Sequence, residues 1–278
     1  TDVVVGGFCN IACGGFGAVG GGRLNTASGT RATIAGGETN TATNSWSNVS
    51  GGLSNVASGQ ISSIGGGISI TASGYRSTVG GGQSNSATNN YSFVGGGCSN
   101  TASGTCSFIG GGDANIASGN RATVAGGGGN GATGGQYPFV GGGYGNSASG
   151  NYGSTVGGGY VNTASGYMST VSGGYRNCAI SNETIVAGGR CNRATGTRSG
   201  VLAGETNIAS NIWAIVGGGL NNTANGVLSV VGGGCANVSS GACSFVGGGD
   251  GNVSSGNRST IAGGQSNSAA GNCSFIGG

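Results

Sequence analysis

Chemistry in this chain would have to come from three kinds of side chain. There are nine cysteines, six carboxylates and nine arginines, with no histidine and no lysine. General-base and Schiff-base catalysis draw mainly on the two missing types. Six scattered acids do not replace them, so the chain is read as a non-enzyme. The cysteine spacings match no zinc ligand set, which pairs CxxC with a second CxxC or with His. Gly-Gly-Gly-Asp at Gly110 to Asp113 and at Gly247 to Asp250 matches part of a calcium-binding repeat, but most of the chain lacks it. A calcium ion takes about six to eight oxygens, which two lone carboxylates do not supply. The glycine runs contain no Gly-Lys-Ser or Gly-Lys-Thr, so they are read as turn and packing residues rather than a phosphate cradle. No cofactor is expected.

The elements that carry these residues follow from a period of 15 residues. Counting each unit from an aliphatic residue gives eighteen units, from Val4 to Ile261, always opening on Val or Ile. The consensus is V-G-G-G-x-x-N-x-A-S-G-x-x-S-T; below, a residue's place in it is its step. Step four is Gly throughout, and step seven is Asn except at Ile70. The units opening at Val124 and Val140 each carry one extra residue, expected just before Val140 (Gln136 to Phe139) and just before Val156 (Gly153 to Thr155). Two short alternating segments per unit, around the Val and around the Asn, predict two brief strands per coil. The fold class is therefore all-β, a parallel β-solenoid or β-roll of 15-residue coils, assembled as a homotrimeric or polymeric fibre. Residues 1–278 read as a single uninterrupted array, which would extend ~85 Å at ~4.8 Å per rung. The chain opens at step thirteen and closes at step three, which predicts a segment of a longer array.

Composition agrees. With 71 Gly, helices are disfavoured, because each Gly costs about 1 kcal/mol relative to Ala in a helix interior. Collagen would need Gly at every third residue, and Ser45 to Ser50 breaks that rule. No run of apolar residues is long enough for a membrane span. A net charge of +3 from dispersed arginines is a poor fit to nucleic acid.

Within the repeat, the step-seven residues Asn25, Asn40, Asn55, Asn85, Asn100 and Asn115 predict a hydrogen-bonded ladder of stacked amides. Step eleven is Gly in most units but Asn at Asn44, Asn89 and Asn211 and Ser at Ser181, which predicts a left-handed turn there. Steps five and thirteen vary together: Cys98 with Cys106, Cys235 with Cys243, Asp113 with Arg121, Asp250 with Arg258, and the apolar pairs Phe8 with Phe16, Leu53 with Ile61, Tyr144 with Tyr152 and Leu220 with Leu228. These steps are expected to touch, either within one chain or between neighbouring chains. Arg23 with Arg31 and Arg190 with Arg198 are like-charged, but each is followed one rung on by Glu38 or Glu205, which would neutralise it along the stack. The covariation predicts disulfides Cys98–Cys106 and Cys235–Cys243, and Cys178 with Cys191 is a further candidate in adjacent rungs. Cys9, Cys13 and Cys273 have no assigned partner. So many cysteines favour an oxidising, extracellular setting.

The run S-T-V-G-G-G-x-x-N-x-A-S-G, complete from Ser154 to Gly166 and with one change, Phe108, from Ser107 to Gly119, resembles the head repeats of trimeric autotransporter adhesins of the YadA type. Similar arrays occur in phage and large-virus fibres. The resemblance implies a left-handed parallel β-roll, a homotrimer, and adhesion at a cell or virion surface. A host surface or matrix component would be the partner. The alternative function is ice binding by a solitary solenoid. Its regular Thr row would lie at step fifteen (Thr33, Thr78, Thr123, Thr155, Thr170, Thr260), where Phe93, Phe108, Phe139, Phe245 and Phe275 interrupt it. Those Phe side chains, if outward, favour contact between chains. N-x-S/T sequons mark Asn48, Asn90, Asn182, Asn221, Asn237, Asn252, Asn257 and Asn272 as candidate glycan acceptors.

Overall fold

A computed structural model describes all residues from Thr1 to Gly278. It contains no helix. The chain forms a parallel β-solenoid whose strands are all two residues long, from Val3–Val4 to Phe275–Ile276. Each coil has one strand at steps fifteen and one and a second at steps eight and nine. Consecutive coils pair in parallel without a register shift, as in Thr26 opposite Thr41 and Ala27 opposite Ala42. The chain divides into two compact units, Thr1–Tyr137 and Pro138–Gly278.

The core of each unit is narrow and built from small side chains. The step-one Val or Ile, the step-nine Ala or Ser, the step-seven Asn and the step-fourteen Ser, Ala or Thr are buried in most rungs. Burying one Val contributes about 1.5–3 kcal/mol, too little for a coil to stand alone, so stability comes from stacking. Most backbone amides that bond do so to the next rung, as Thr26 N–H does to Asn40 O (2.9 Å) and Ser28 N–H to Ala42 O (2.9 Å), while the step-fourteen amide closes a turn within its own coil, as Ala32 N–H does to Gly29 O (3.0 Å).

Two steps reverse that direction. At step six, Leu24 N–H donates back to Phe8 O, and at step thirteen, Arg31 N–H donates back to Gly15 O, both at 2.9 Å. Both steps have left-handed backbone: Leu24 has φ 56° and Arg31 φ 58°. A positive φ turns the peptide over, so its N–H points to the rung behind. Step eleven, where the left-handed turn was expected, does not have it. Its glycines answer a different constraint: a Cβ on Gly104 would lie 1.9 Å from Gly119 O in the next rung. Where step eleven is not Gly, the side chain donates to the step-ten carbonyl of the next rung, Asn44 Nδ2 to Ser58 O (3.2 Å), Asn89 Nδ2 to Ser103 O (3.0 Å) and Asn211 Nδ2 to Asn225 O (2.9 Å).

The insertions also fall elsewhere than expected. Gln136 bridges Asn120 and Tyr137 N–H donates to Asn120 O (2.9 Å), so these two hold steps twelve and thirteen. The extra residue therefore lies at Gly134 to Gly135. In the next unit Gly150 packs against Gly166, and Met168 N–H donates to Tyr152 O (2.8 Å). Tyr152 thus holds step twelve, and Asn151 is the extra residue. Both insertions enter the turn after step eleven, where no strand register is lost.

Candidate interaction surface

Each coil presents two faces and two edges. Step five lies in the connection from the first strand to the second, and step thirteen in the connection back, so they occupy opposite edges. The step-five edge is a column of single bridges, running Phe8, Arg23, Glu38, Leu53, Ile68, Gln83, Cys98, Asp113, Gly128 in the first unit. In the second it runs Tyr144, Tyr160, Tyr175, Arg190, Glu205, Leu220, Cys235, Asp250, Gln265.

Side chains on each edge touch their own kind along the stack. Tyr144, Tyr160 and Tyr175 stack with successive ring centroids 5.5 Å apart. Arg23 pairs with Glu38 at 2.6 Å and Arg190 with Glu205 at 3.4 Å, so the expected neutralisation of these arginines along the stack is found. On the step-thirteen edge, Arg198 pairs with Glu183 at 2.8 Å, and the Arg31 guanidinium lies 5.7 Å from the Phe16 ring and 4.6 Å from the Trp46 ring. The Arg198 hydrogen bond holds the Glu183 carboxyl below its ordinary range and raises the guanidinium in return. Both groups are exposed, so the pair contributes little to stability.

The expected disulfides are absent. All nine cysteines are free. Cys98 sits between Gln83 and Asp113, and Cys235 between Leu220 and Asp250, while Cys106 and Cys243 lie on the other edge, half a coil away. Asp113 with Arg121 and Asp250 with Arg258 form no ion pair either; Arg121 instead donates to the Tyr137 hydroxyl. Covariation of the two steps therefore does not report a contact inside the coil. The Tyr144 to Tyr152 pairing also falls, because Tyr152 stands at step twelve, where its ring stacks on Tyr167 at 5.6 Å. Cys178 and Cys191 are near neighbours but both remain thiols. Burial raises the Cys178 pKa, Arg193 opposes that, and Cys191 adds to it.

The asparagine ladder is present, with its main bonds to backbone. Asn25 Nδ2 donates to Gly21 O (3.0 Å) and to Gly37 O (2.8 Å), and Asn25 Oδ1 accepts the Asn40 N–H (2.9 Å). Asn40, Asn55, Asn85, Asn100 and Asn115 repeat this set. Direct amide to amide bonds also occur, such as Asn100 Nδ2 to Asn85 Oδ1 at 3.2 Å. Two sequons fall on this ladder: Asn237 and Asn252 are fully buried with their amides engaged, so they are not glycan acceptors in the folded chain. Asn90, Asn182, Asn221, Asn257 and Asn272 are exposed and Asn48 is half-buried on an outer face.

The outward strand positions form the two faces. Phe93, Phe108, Phe139, Phe245 and Phe275 point outward at step fifteen, and Phe93 and Phe108 stack at 5.3 Å. The opposite face of the first unit is different. Over six rungs its steps eight and ten read Thr26 and Ser28, Thr41 and Thr43, Val56 and Ser58, Thr71 and Ser73, Ser86 and Thr88, Thr101 and Ser103. None of their hydroxyls is bonded within the chain. The sequence signal for this face was the T-A-S triplet, in which a buried Ala separates two outward hydroxyls.

No protein-family model matches the chain, and no curated protein matches it.

Proposed function

We propose that the chain is a structural repeat segment of an extracellular fibre or surface adhesin that works by self-association, with a cell surface or matrix component as its outer partner. The observation that carries this reading is the pair of exposed edges. They set exposed apolar side chains in register in short runs, Leu53 with Ile68 and Tyr144 with Tyr160 and Tyr175, with Tyr144 58% exposed. Such stripes are more than a monomeric surface usually leaves in water. The interior is filled by asparagines and small apolar residues that serve the backbone, which supports a scaffold role. The resemblance to adhesin head repeats points the same way and adds the homotrimer as the assembly to look for. The test is the native mass of the purified chain together with electron microscopy. A trimer or polymer of elongated particles is expected; a monomer at all concentrations overturns the reading.

A second reading, ice binding, is favoured by the hydroxyl face of the first unit. Its two ranks, broken once at Val56, repeat about every 4.8 Å along the stack and lie about 6.6 Å apart across it. Unpaired hydroxyls at a fixed lattice spacing can hold ordered water. Thermal hysteresis of the native chain, abolished by Thr41→Tyr with Thr71→Tyr, would establish it; ice growth unaffected by the native chain excludes it.

A further inference from the structure

We propose that the step-five edge of one chain seats on the step-thirteen edge of a second copy, rung against equal rung. This rests on the self-association reading above and says how the copies meet. The covarying pairs cannot touch within a coil, since the two strand columns separate them. A second chain placed beside the first brings them together.

Charge supports this occupant. Asp113 and Asp250 face no cation on their own edge, and Arg121 and Arg258 face no carboxylate on theirs. In a side-by-side pair at equal register each unmatched acid meets an unmatched arginine. The like-charged rungs fit as well. Arg23 and Arg190 are already neutralised by Glu38 and Glu205, Arg198 by Glu183, and Arg31 is held between two aromatic rings. Arg76 stands on a rung whose step five is Ile68, and its guanidinium lies over the neighbouring Tyr75 ring at 5.2 Å instead of seeking a carboxylate. The two-rung block from Val94 to Thr123 recurs from Val231 to Thr260, so its Cys and Asp/Arg rungs count as one pattern used twice. That places one such contact in each unit. On the second unit, a shallow depression of about 380 Å³ on the step-thirteen edge is lined by Cys243, Arg258 and Cys273. It is the seat for Cys235 and Asp250 of the neighbouring copy.

The arrangement is heterologous: one edge meets the other, never itself. It closes into a ring or extends as a ribbon according to the angle between copies. It also brings Cys98 beside Cys106 of the second copy, and Cys235 beside Cys243. With a low-molecular-weight disulfide such as oxidised glutathione, each thiol pair gives up two electrons and two protons. One interchain disulfide forms and two molecules of the reduced tripeptide leave.

The test uses full-length chains in which all cysteines but one are serine. A chain retaining Cys98 is co-expressed with one retaining Cys106, treated with oxidised glutathione and run without reductant. A covalent dimer is expected, at least ~10-fold above either chain alone, because neither edge meets itself. Cys98 with Cys243 should give no link, since the rungs differ. Equal linking in the single-chain samples overturns the proposal. So does absence of the Cys98 to Cys106 link when the native mass shows an assembly, and in that case the fibre reading survives. A monomeric native mass removes both. Independently of thiols, Asp113→Arg should weaken association ~10-fold, and adding Arg121→Asp to the same chain should restore it. Failure of the double variant to recover overturns the charge register.

Discussion

At the scale of single residues, the asparagine at step seven does the work that a turn would otherwise leave undone. Its side chain supplies the acceptor for the next asparagine's amide and donors for two carbonyls, all away from water. Asn100→Ala should cost about 3 kcal/mol in chemical denaturation, because it strands the buried Asn115 N–H and removes donors from Gly96 O and Gly112 O. Ile70 shows the limit of tolerance: its own amide still donates to Asn55 Oδ1 at 3.0 Å, but it offers nothing to the rung ahead. The left-handed steps behave differently. Val161 has φ 54° and is a β-branched residue in a conformation that disfavours it. Val161→Asn should raise stability by about 1 kcal/mol, read as an upward shift in the unfolding midpoint. The Glu183 carboxyl, held low by Arg198, gives a pH test. Since its folded pKa lies below the ordinary value, the pair is intact above the ordinary carboxylate range and is lost as pH falls through the lowered pKa. An NMR titration of Glu183 should show that low midpoint, and Arg198→Ala should return it to the ordinary range.

At the scale of the element, the coil sorts its glycines by what lies above them. Gly97, at step four with φ 90°, has Gly112 O only 2.0 Å from where a Cβ would stand, whereas Gly96, at step three, faces open space. Gly97→Ala should therefore destabilise the first unit by more than about 3 kcal/mol, while Gly96→Ala should be neutral, compared by thermal unfolding. Ala203 already occupies step three in the second unit. Inside the coil, step fourteen follows a similar logic. Where step nine is serine the two hydroxyls meet, Ser239 with Ser244 and Ser254 with Ser259, both at 2.6 Å. Where step nine is alanine the hydroxyl can be stranded, as at Ser62, Ser77 and Ser107. The chain itself uses alanine at that step in Ala32, Ala122 and Ala214.

At the scale of the whole molecule, stability is a sum over neighbouring rungs rather than a property of one centre. Every cysteine is a thiol, so no covalent bond assists the stack. Dithiothreitol should leave the unfolding midpoint of the unassociated chain unchanged; a fall on reduction would show a crosslink inside the coil after all. The same edges that give no intrachain bond are the surfaces on which assembly is proposed, because the solenoid sets the same two steps on two opposite edges at every rung.

The period, the two strands per coil and the buried Val, Ala and Asn were all legible in the sequence, because they depend only on alternation and on which side chains can be covered. The asparagine ladder was legible for the same reason: identical residues at identical steps must stack once the rungs are in register. What only the tertiary structure decided was direction across the coil. Covariation of Cys98 with Cys106 says that two steps matter to each other, but not whether they share an edge, and the path of the chain puts them on opposite ones. The left-handed corners at Leu24 and Arg31 likewise carry no glycine to announce them. They are imposed by the need to return each coil onto the last with its amides bonded, a constraint that exists only after the rungs have stacked.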